Sequence, residues 1–352
     1  MAFPKKWIPV IYLLTITTMV WLFWNIASKI TAQLVREPYT KTLVIPRTKD
    51  EDVTWIDEHF GGDPHITQSI YIADDPLAEL HPPQNKGNEV MTYLSYIIDH
   101  YHNLSDISIF MHSHRYSWHN NDLLENDAVE MISRLSGERV QREGFMNMRC
   151  HWEPGCPAWI HPGTIKEDIQ KPEETMIAKS WAEIFPLNPI PNILAQPCCG
   201  QFAISRDTIQ SRPLTTFIFY RDWLLSTPLP DYISGRIWEY LWQVVFTGKN
   251  IVCPRESVCY CDGFGVCFGG EEKYNAYWQI EHKKRRLEQE LENWTKRNDS
   301  TRKDWGLKEE IKRLKRVCED MRLEAKRHGD VAKNRAEEVR MEWKEGAVGN
   351  LL

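Results

Sequence analysis

Residues 43–76 read LVIPRTKDEDVTWIDEHFGGDPHITQSIYIADDP, and residues 89–111 read EVMTYLSYIIDHYHNLSDISIFM. Leu43 to Pro46, Ser69 to Ala73 and Ile107 to Met111 are short apolar runs of the length and side-chain type that strands favour. Between them lie two segments with helical spacing. Asp50 to Phe60 carries Val53, Ile56 and Phe60 on one face, with Asp50 as its expected N-cap, and Gly61-Gly62-Asp63-Pro64 ends it. Glu89 to Tyr101 carries Tyr93, Leu94, Ile97 and Ile98. The order strand, helix, strand, helix, strand predicts an α/β domain: a Rossmann-like, mostly parallel sheet flanked by helices. Ligands of such sheets bind beyond the carboxyl ends of the strands. Arg47 to Glu51, Asp74 to Pro76 and His112 to His119 are therefore expected to face a common site.

Downstream, Asn126 to Leu135 reads as a helix and residues 144–197 as irregular and proline-rich, with a helical turn at Trp181 to Phe185. Phe202 to Ser205 reads as a strand and Thr208 to Leu225 as helical after Pro213. Asp231 to Phe246 reads as one helix with Ile237, Tyr240, Leu241, Val244 and Val245 on its apolar side. A cysteine- and glycine-rich loop, Cys253 to Gly270, closes a globular domain spanning 42–270. A long charged helical tail, 271–346, follows, with 347–352 as a disordered end. In the tail Leu307, Ile311, Leu314, Cys318, Met321 and Ala325 step by alternating fours and threes, the spacing of a coiled-coil seam. Either two chains pair there into a homodimer, with Cys318 placed to link them, or a solitary helix is held by ion pairs such as Glu309 with Arg313.

Upstream, no charged side chain occurs from Trp7 to Ala27, and a bilayer core needs about 20 such residues in a helix. Trp7, Trp21 and Trp24 fit interfacial anchoring. The rival, a cleaved signal peptide, has a shorter apolar region of roughly 7–15 residues and a small-x-small cleavage site, which Asn25-Ile26-Ala27 matches poorly. Residues 7–28 are read as a single transmembrane helix, 1–6 as a cytosolic tail and 29–41 as a stem. Cysteine usage sets the orientation. Cys150, Cys156, Cys198, Cys199, Cys253, Cys259, Cys261 and Cys267 form an even set, which suits an oxidising lumen. Sequons at Asn103, Asn293 and Asn298 agree with that side. The expectation is a type II membrane protein whose domain lies in the endoplasmic reticulum or Golgi lumen or outside the cell. A formal net charge of -6 argues against nucleic acid as a partner.

Chemistry-bearing residues cluster at the expected ligand edge. His112, His114 and His119 directly follow the third strand, and imidazoles ligate metals or move protons near neutral pH. The plainer reading has them hydrogen-bonding loop backbone. Asn85-Lys86-Gly87-Asn88-Glu89 opens a helix whose N-terminus favours anions, or is simply capped. Arg236 and Glu239 share a helix face, as an ion pair or with Glu239 as a general base, and Asp222 is a second acid. The run Cys253 to Cys267 lacks the paired Cys-x2-Cys of a zinc site, so disulfides are expected. The adjacent Cys198 and Cys199 are expected to bond to different partners. No nucleophile elbow, Walker loop or dinucleotide fingerprint occurs.

The blocks NKGNEVMTYLSYIIDHY, IFMHSHRYSWHN, CCGQFAISRDTI, DWLLSTPLPDYISGRIWEYLWQVVF and CPRESVCYCDGFGVC, in this order between Leu43 and Gly270, resemble a mainly fungal family known only as domain of unknown function 3431. More distantly, the chain is similar to glycosyltransferases of the GT-A type. These share the opening α/β unit and a block like Gln201 to Arg206 followed by a helix bearing an acid, here Glu239. That similarity implies a nucleotide sugar bound by Arg47, Asp74, Asp75 and the Asn85, Lys86, Glu89 turn. His114, Arg115, Trp118, His119, Arg206 and Arg236 are further binding candidates. Glu239, Asp222 or His112 would transfer protons, and His112, His114 and His119 would hold a divalent metal ion. The chain departs from the pattern where an Asp-x-Asp is expected, which here reads His112-Ser-His114. Two readings stand: a membrane-anchored glycosyltransferase-like enzyme, and a non-catalytic binding or scaffolding module with a degenerate transferase-like fold. The first requires His112, His114, Asp74 and Glu239 to converge on one pocket.

Overall fold

The computed structural model describes residues 38–296 and 302–349. The expected transmembrane helix 7–28, the tail before it, most of the stem and the sequon Asn298 lie outside the described residues. Among the described residues no helix is long and apolar enough to cross a membrane. From Thr40 onward the described chain forms one compact unit.

Strand β1 (Lys41–Arg47) pairs in parallel with β2 (Ile66–Ile72) on one side and β3 (Ile107–Phe110) on the other. Leu43, Val44 and Ile45 are fully buried, as a strand covered on both faces requires. Helices α1 (Thr54–Phe60) and α2 (Val90–His100) make the two crossovers. The alternation expected from residues 43–111 is therefore present. Helix α1 begins at Thr54, later than expected, and the Asp52 carboxylate, not that of Asp50, accepts the Thr54 N–H at 2.9 Å.

The expectation of a mostly parallel sheet fails at the other edge. β5 (Phe202–Ser205) runs antiparallel to β3, and β4 (Phe145–Asn147) antiparallel to β5, in the order β2-β1-β3-β5-β4. The sheet is mixed because of the chain's path. The cysteine-rich segment ahead of β5 lies at the carboxyl end of β3, so β5 enters at Phe110↔Phe202 and runs back along it. Ahead of β4 come α3 (Ala128–Arg134) and α4 (Gly137–Glu143). Beyond it follow α5 (Glu174–Ile184), α6 (Arg206–Gln210) and α7 (Leu214–Ser226). The helix expected over 231–246 is broken at Tyr240-Leu241 into α8 (Asp231–Glu239) and α9 (Trp242–Thr247). The loop expected over 253–270 contains α10 (Glu256–Phe264).

One sheet face and these helices enclose an aromatic core, with ring centroids 4.8 Å apart for Tyr93 and Phe110, 4.7 Å for Phe110 and Phe202, and 4.9 Å for Trp238 and Trp242. Two disulfides, Cys150–Cys259 and Cys156–Cys253, tie the irregular segment to α10 and its approach across sequence separations of 109 and 97. Cross-links over loops of that length remove about 4–5 kcal/mol of unfolded-chain entropy each in the chain-entropy picture. Cys261 bonds to Cys267. These six cysteines are matched among themselves, so Cys198 and Cys199 bond to each other, contrary to expectation.

After Gly270 come α11 (Glu271–Lys296), α12 (Arg302–Gly329) and α13 (Ala332–Gly349). Helices α11 and α12 pack along one another, and α13 packs on α10. The seam residues Leu314, Cys318 and Ala325 are buried inside this chain. Tyr274, Tyr277 and Trp278 on α11 are buried too, with Trp278 stacked on His151 at 5.1 Å. Basic side chains then meet an acidic edge: Arg285 with Asp122 (2.7 Å), Arg322 with Glu125 (2.6 Å) and Lys326 with Glu130 (2.9 Å). Trp278→Ala is expected to lower unfolding free energy by about 3–5 kcal/mol, the cost of emptying a buried aromatic site. Urea denaturation of the single variant measures this, and a loss below about 1 kcal/mol would show that α11 is only loosely docked.

Candidate functional site

The parallel half of the sheet leaves the carboxyl ends of β1, β2 and β3 at one edge, and a cavity of about 480 Å³ opens there. β1 supplies Pro46 and Arg47, β2 leads to Ala73, and β3 leads to His112, Ser113 and His114. Asn85, Asn88 and Glu89 come from the turn before α2, and Asp231 from the first turn of α8. Two local features let α8 reach that turn. Gly87 and Asn88 take φ of 68° and 54°, the left-handed region that Gly and Asn enter most readily. Gly235 faces them, and a Cβ there would come within 2.5 Å of Asn88 Nδ2. The close approach sets Glu239, at the end of α8, beside Glu89.

Glu89 and Glu239 are crowded by protein yet still partly touched by solvent, as groups on a pocket floor are. Burial raises the pKa of both, and the neighbouring Glu89 carboxyl raises that of Glu239 further. Two carboxyl groups so close resist ionising together. The imidazoles of His112 and His119 meet Nδ1 to Nδ1 at 3.0 Å. Burial, and after it the charge of His119, pushes His112 down to about 3; burial and Arg149 push His119 down to about 4. Both rings are neutral at physiological pH. Glu51 behaves oppositely. Burial works against its charge, but the Thr48 amide and the Ser113 and Thr48 hydroxyls outweigh that and hold the carboxyl below its usual range.

Of the residues singled out in the sequence, Arg47, Asn85, Glu89, His112, His114 and His119 line the cavity. Asp74, Asp75 and Glu239 are not among the lining residues, so of the four required to converge only His112 and His114 line the cavity; Asp74 Oδ1 accepts the Lys49 N–H at 2.9 Å and Asp75 pairs with the Lys49 ammonium at 3.3 Å. The others lie elsewhere. Lys86 Nζ donates to the Thr227 carbonyl behind the turn. Arg115 pairs with Asp127, and Arg236 with the buried Glu173. Arg206 pairs with Asp106 at the opposite, amino end of β3. Asp222 is paired with its neighbour Arg221 and is 57% exposed. Trp118 is 60% exposed and packs on His119 and Arg149 outside the cavity. Glu51 and Ser113 line the site from within segments expected there, though neither was given a role, and Asp231 lines it without having been singled out, being a common polar residue with no motif around it.

The three histidines do not close on one point. His114 Nδ1 faces Ser113 and Glu51 instead of the His112–His119 pair. Among the described residues, the group of three potential ligand atoms within 4.8 Å of one another is Cys261, Cys267 and Glu338, and there the two sulfurs are bonded to each other. His112 and His119 offer two imidazoles within reach of one another, and among the described residues no third ligand atom joins them.

The fold and site define a mixed α/β domain with a polar pocket at the carboxyl ends of its parallel strands. Residues 43–262 match the family described as a protein of unknown function (DUF3431), and the chain belongs to that family. No curated protein and no solved structure matches it. The matched region ends within α10, before α11 to α13 begin.

The acid pair gives the site a pH signature. A carboxyl raised in the folded state adds stability that is fully present below its unfolded value, here 4.5, and is lost as pH rises through the folded values. Glu239→Gln keeps the protonated shape and abolishes that ionisation. The variant is expected to match the wild type near pH 5 and exceed it at pH 8 by on the order of 1–2 kcal/mol. The lowered histidines act at the other end, adding stability that is lost as pH falls from 6.5 toward 3 to 4. Denaturant melts from pH 4 to 8 read both slopes, and parallel curves for variant and wild type would contradict the assignment.

Proposed function

We propose that this chain is a glycosyltransferase-like enzyme that binds a nucleotide sugar across the strand ends and transfers the sugar to a hydroxyl acceptor. The observation that supports the reading is a cavity lined by Glu89, His112 and His119, with Glu239 outside the lining but close enough to Glu89 for that carboxyl to raise its own pKa. A carboxyl pair poised near neutral pH suits general-base work. Glu89 faces the cavity and would take the acceptor proton, with Glu239 behind it sharing the charge. A GT-A-type fold, anchorage through residues 7–28 and a lumenal domain belong to the same proposal, and four disulfides support an oxidising compartment.

Charge balance adds a condition. The cavity is lined by one guanidinium, Arg47, already donating to the Glu51 carbonyl, against Glu51 and Asp231. A nucleoside diphosphate would be repelled there unless a divalent cation came with it. His112 and His119 would hold that cation, which would neutralise the diphosphate as it leaves. A neutral, hydroxyl-rich ligand needs no such help, and this same balance favours the second reading, a non-catalytic glycan-binding module. The scaffolding version of that reading joins two chains through the C-terminal helix, whose seam residues Leu314 and Cys318 are already buried within one chain.

Thermal unfolding of the chain from Thr40 to Leu352 with nucleoside diphosphates, with and without manganese, tests the reading. Ligand at a hundredfold excess over its dissociation constant adds about 2.7 kcal/mol. One nucleotide is expected to raise the midpoint only when manganese is present, and the shift should vanish in His112→Ala while persisting in Glu89→Gln. A shift with free sugars alone would transfer the assignment to the binding module, and no shift with either class would remove the nucleotide sugar.

A further inference from the structure

A second cavity, of about 570 Å³, opens between α5, α7 and α9 and shares no lining residue with the polar pocket. Ligand sites commonly enclose about 300–1,000 Å³. Its floor is apolar: Trp181 and Tyr220 are buried there. Its walls are uncovered. Leu187 is 95% exposed and Phe219 45% exposed. Leu187 is nonetheless held in place. The Asn188 N–H donates to the Phe185 carbonyl at 3.0 Å and closes a turn around it, and the Trp181 indole N–H donates to the Asn188 carbonyl at 3.1 Å. Pro186 and Pro189 stiffen the same stretch. The local structure thus fixes an apolar side chain outward into solvent, at the lip of an apolar groove.

Arg212 is the one charged residue lining this groove among the described residues. No carboxylate among them pairs with its guanidinium, and its Nε is buried without a hydrogen-bond partner. The acidic side chains of the flanking helices are engaged elsewhere: Glu183 accepts the Trp223 indole N–H at 2.8 Å, and Asp222 pairs with Arg221 at 2.9 Å. A buried donor left unpaired costs about 1–3 kcal/mol, so the position favours an acceptor from outside the chain. An apolar groove with one unpaired guanidinium is complementary to an amphiphilic anion: an acyl chain for the walls and an anionic oxygen for Arg212.

The place of the groove in the fold says where such an anion comes from. Tyr101, at the C-terminal end of α2, donates its hydroxyl to the Arg212 carbonyl, which sets Arg212 at the amino edge of the sheet. Helix α6, which leads to Arg212, starts at Arg206, and Arg206 pairs at 2.9 Å with Asp106, just before β3. Asp106 Oδ2 in turn accepts the Thr40 N–H at 3.0 Å. Thr40 opens the compact unit, so the chain that precedes it leaves the domain at this same edge. We infer that the groove holds an anionic lipid of the bilayer, with Arg212 on its phosphate and Leu187 and Phe219 against its acyl chain. Exposed apolar side chains beside a basic one are what interfacial binding uses. The amino edge of the sheet then faces the membrane, and the polar pocket at the carboxyl edge opens away from it. The assignment takes its membrane from the anchorage proposed above and owes nothing to the nucleotide-sugar reading.

Vesicle flotation tests this on the chain from Thr40 to Leu352, one compact unit with its own core, where no anchor can carry the binding. The wild type is expected to float with vesicles of equimolar phosphatidylcholine and phosphatidic acid, and to stay behind with phosphatidylcholine alone. Arg212→Gln should weaken that binding about tenfold or more, the loss of one charge-assisted hydrogen bond. Leu187→Asp should weaken it as well with an unchanged circular dichroism spectrum, because a side chain 95% exposed supports no core. That variant keeps the test decisive if Arg212→Gln does not fold. Lys333→Gln, at a side chain 80% exposed on α13, should bind as the wild type does. Flotation with neither vesicle overturns the proposal, as does wild-type binding by a folded Arg212→Gln or Leu187→Asp chain. Inorganic phosphate that stabilises the wild type against heat while no vesicle binds would make the groove a site for the free anion, and overturns the lipid too. Release of the full chain from membranes by alkaline carbonate would instead sink the anchorage alone and leave the flotation result standing.

Discussion

Parallel pairing of β1 with both of its neighbours is the constraint from which the rest follows. It sends three carboxyl ends to one edge of the sheet, so that every loop leaving β1, β2 and β3 must begin there. The sheet interior at that point is apolar and aromatic, so the polar side chains of those loops gather at the rim of the core. The site is where a dry aromatic layer, Tyr93, Phe110, Phe202 and Trp242, stops and hydrogen-bonding groups start. Tyr93 lies one helical turn after Glu89 on α2, which places the carboxyl directly on that boundary.

A boundary of this kind is where a carboxyl group is expensive to ionise. The contrast between Glu51 and Glu89 makes the point within one cavity. Glu51 receives an amide and two hydroxyl donors and stays charged in spite of its burial. Glu89 and Glu239 receive fewer donors and face each other, so burial decides their state. Carboxyl groups in one neighbourhood thus differ in charge state: Glu51 is held as an anion, while Glu89 and Glu239 resist ionising together.

The parts of the fold that were legible in the sequence are those where local pattern and tertiary role agree. β1 to β3 are apolar runs because they are covered on both faces, and α2 is amphipathic because it lies on the sheet. α4 and β4 were not legible, and the reason is visible in Arg139. It occupies a position that burial would reserve for an apolar side chain, with Asp262 at 3.5 Å as its partner from α10. A buried charge paired across more than a hundred residues looks, in one dimension, like a surface charge. β4, Phe145-Met-Asn147, is too short to carry a period. At the site, the histidine segment could be placed because it directly follows a strand. Asp231 could not, because its approach to the cavity depends on Gly235 packing on Asn88, a contact between distant parts of the chain. The vicinal disulfide was misread because adjacency argues against it locally, and only the pairing of the other six cysteines leaves it as the outcome.

The charged tail changes meaning once its partners are known. In sequence it reads either as a coiled-coil strand or as a solitary helix held by ion pairs. In the fold its basic side chains meet Asp122, Glu125 and Glu130, which directly follow the histidine loop. From the other side, Arg149 donates to the carbonyls of Trp118 and Asn120. The loop that presents His112, His114 and His119 is therefore held at three places: by Gln201, whose Oε1 accepts the His112 N–H, at its start, by Arg149 at its middle and by α11 and α12 at its end. Each exposed ion pair of the tail contributes little alone, about 0–1 kcal/mol. Their common effect is directional, because all three draw the same stretch toward a platform made rigid by the buried Tyr274, Tyr277 and Trp278. Loops that must hold imidazoles at hydrogen-bond distance gain more from such a platform than from added apolar contact, since a small displacement would part the two ring nitrogens. The tail thus belongs to the site's architecture, although none of its described residues lines the cavity.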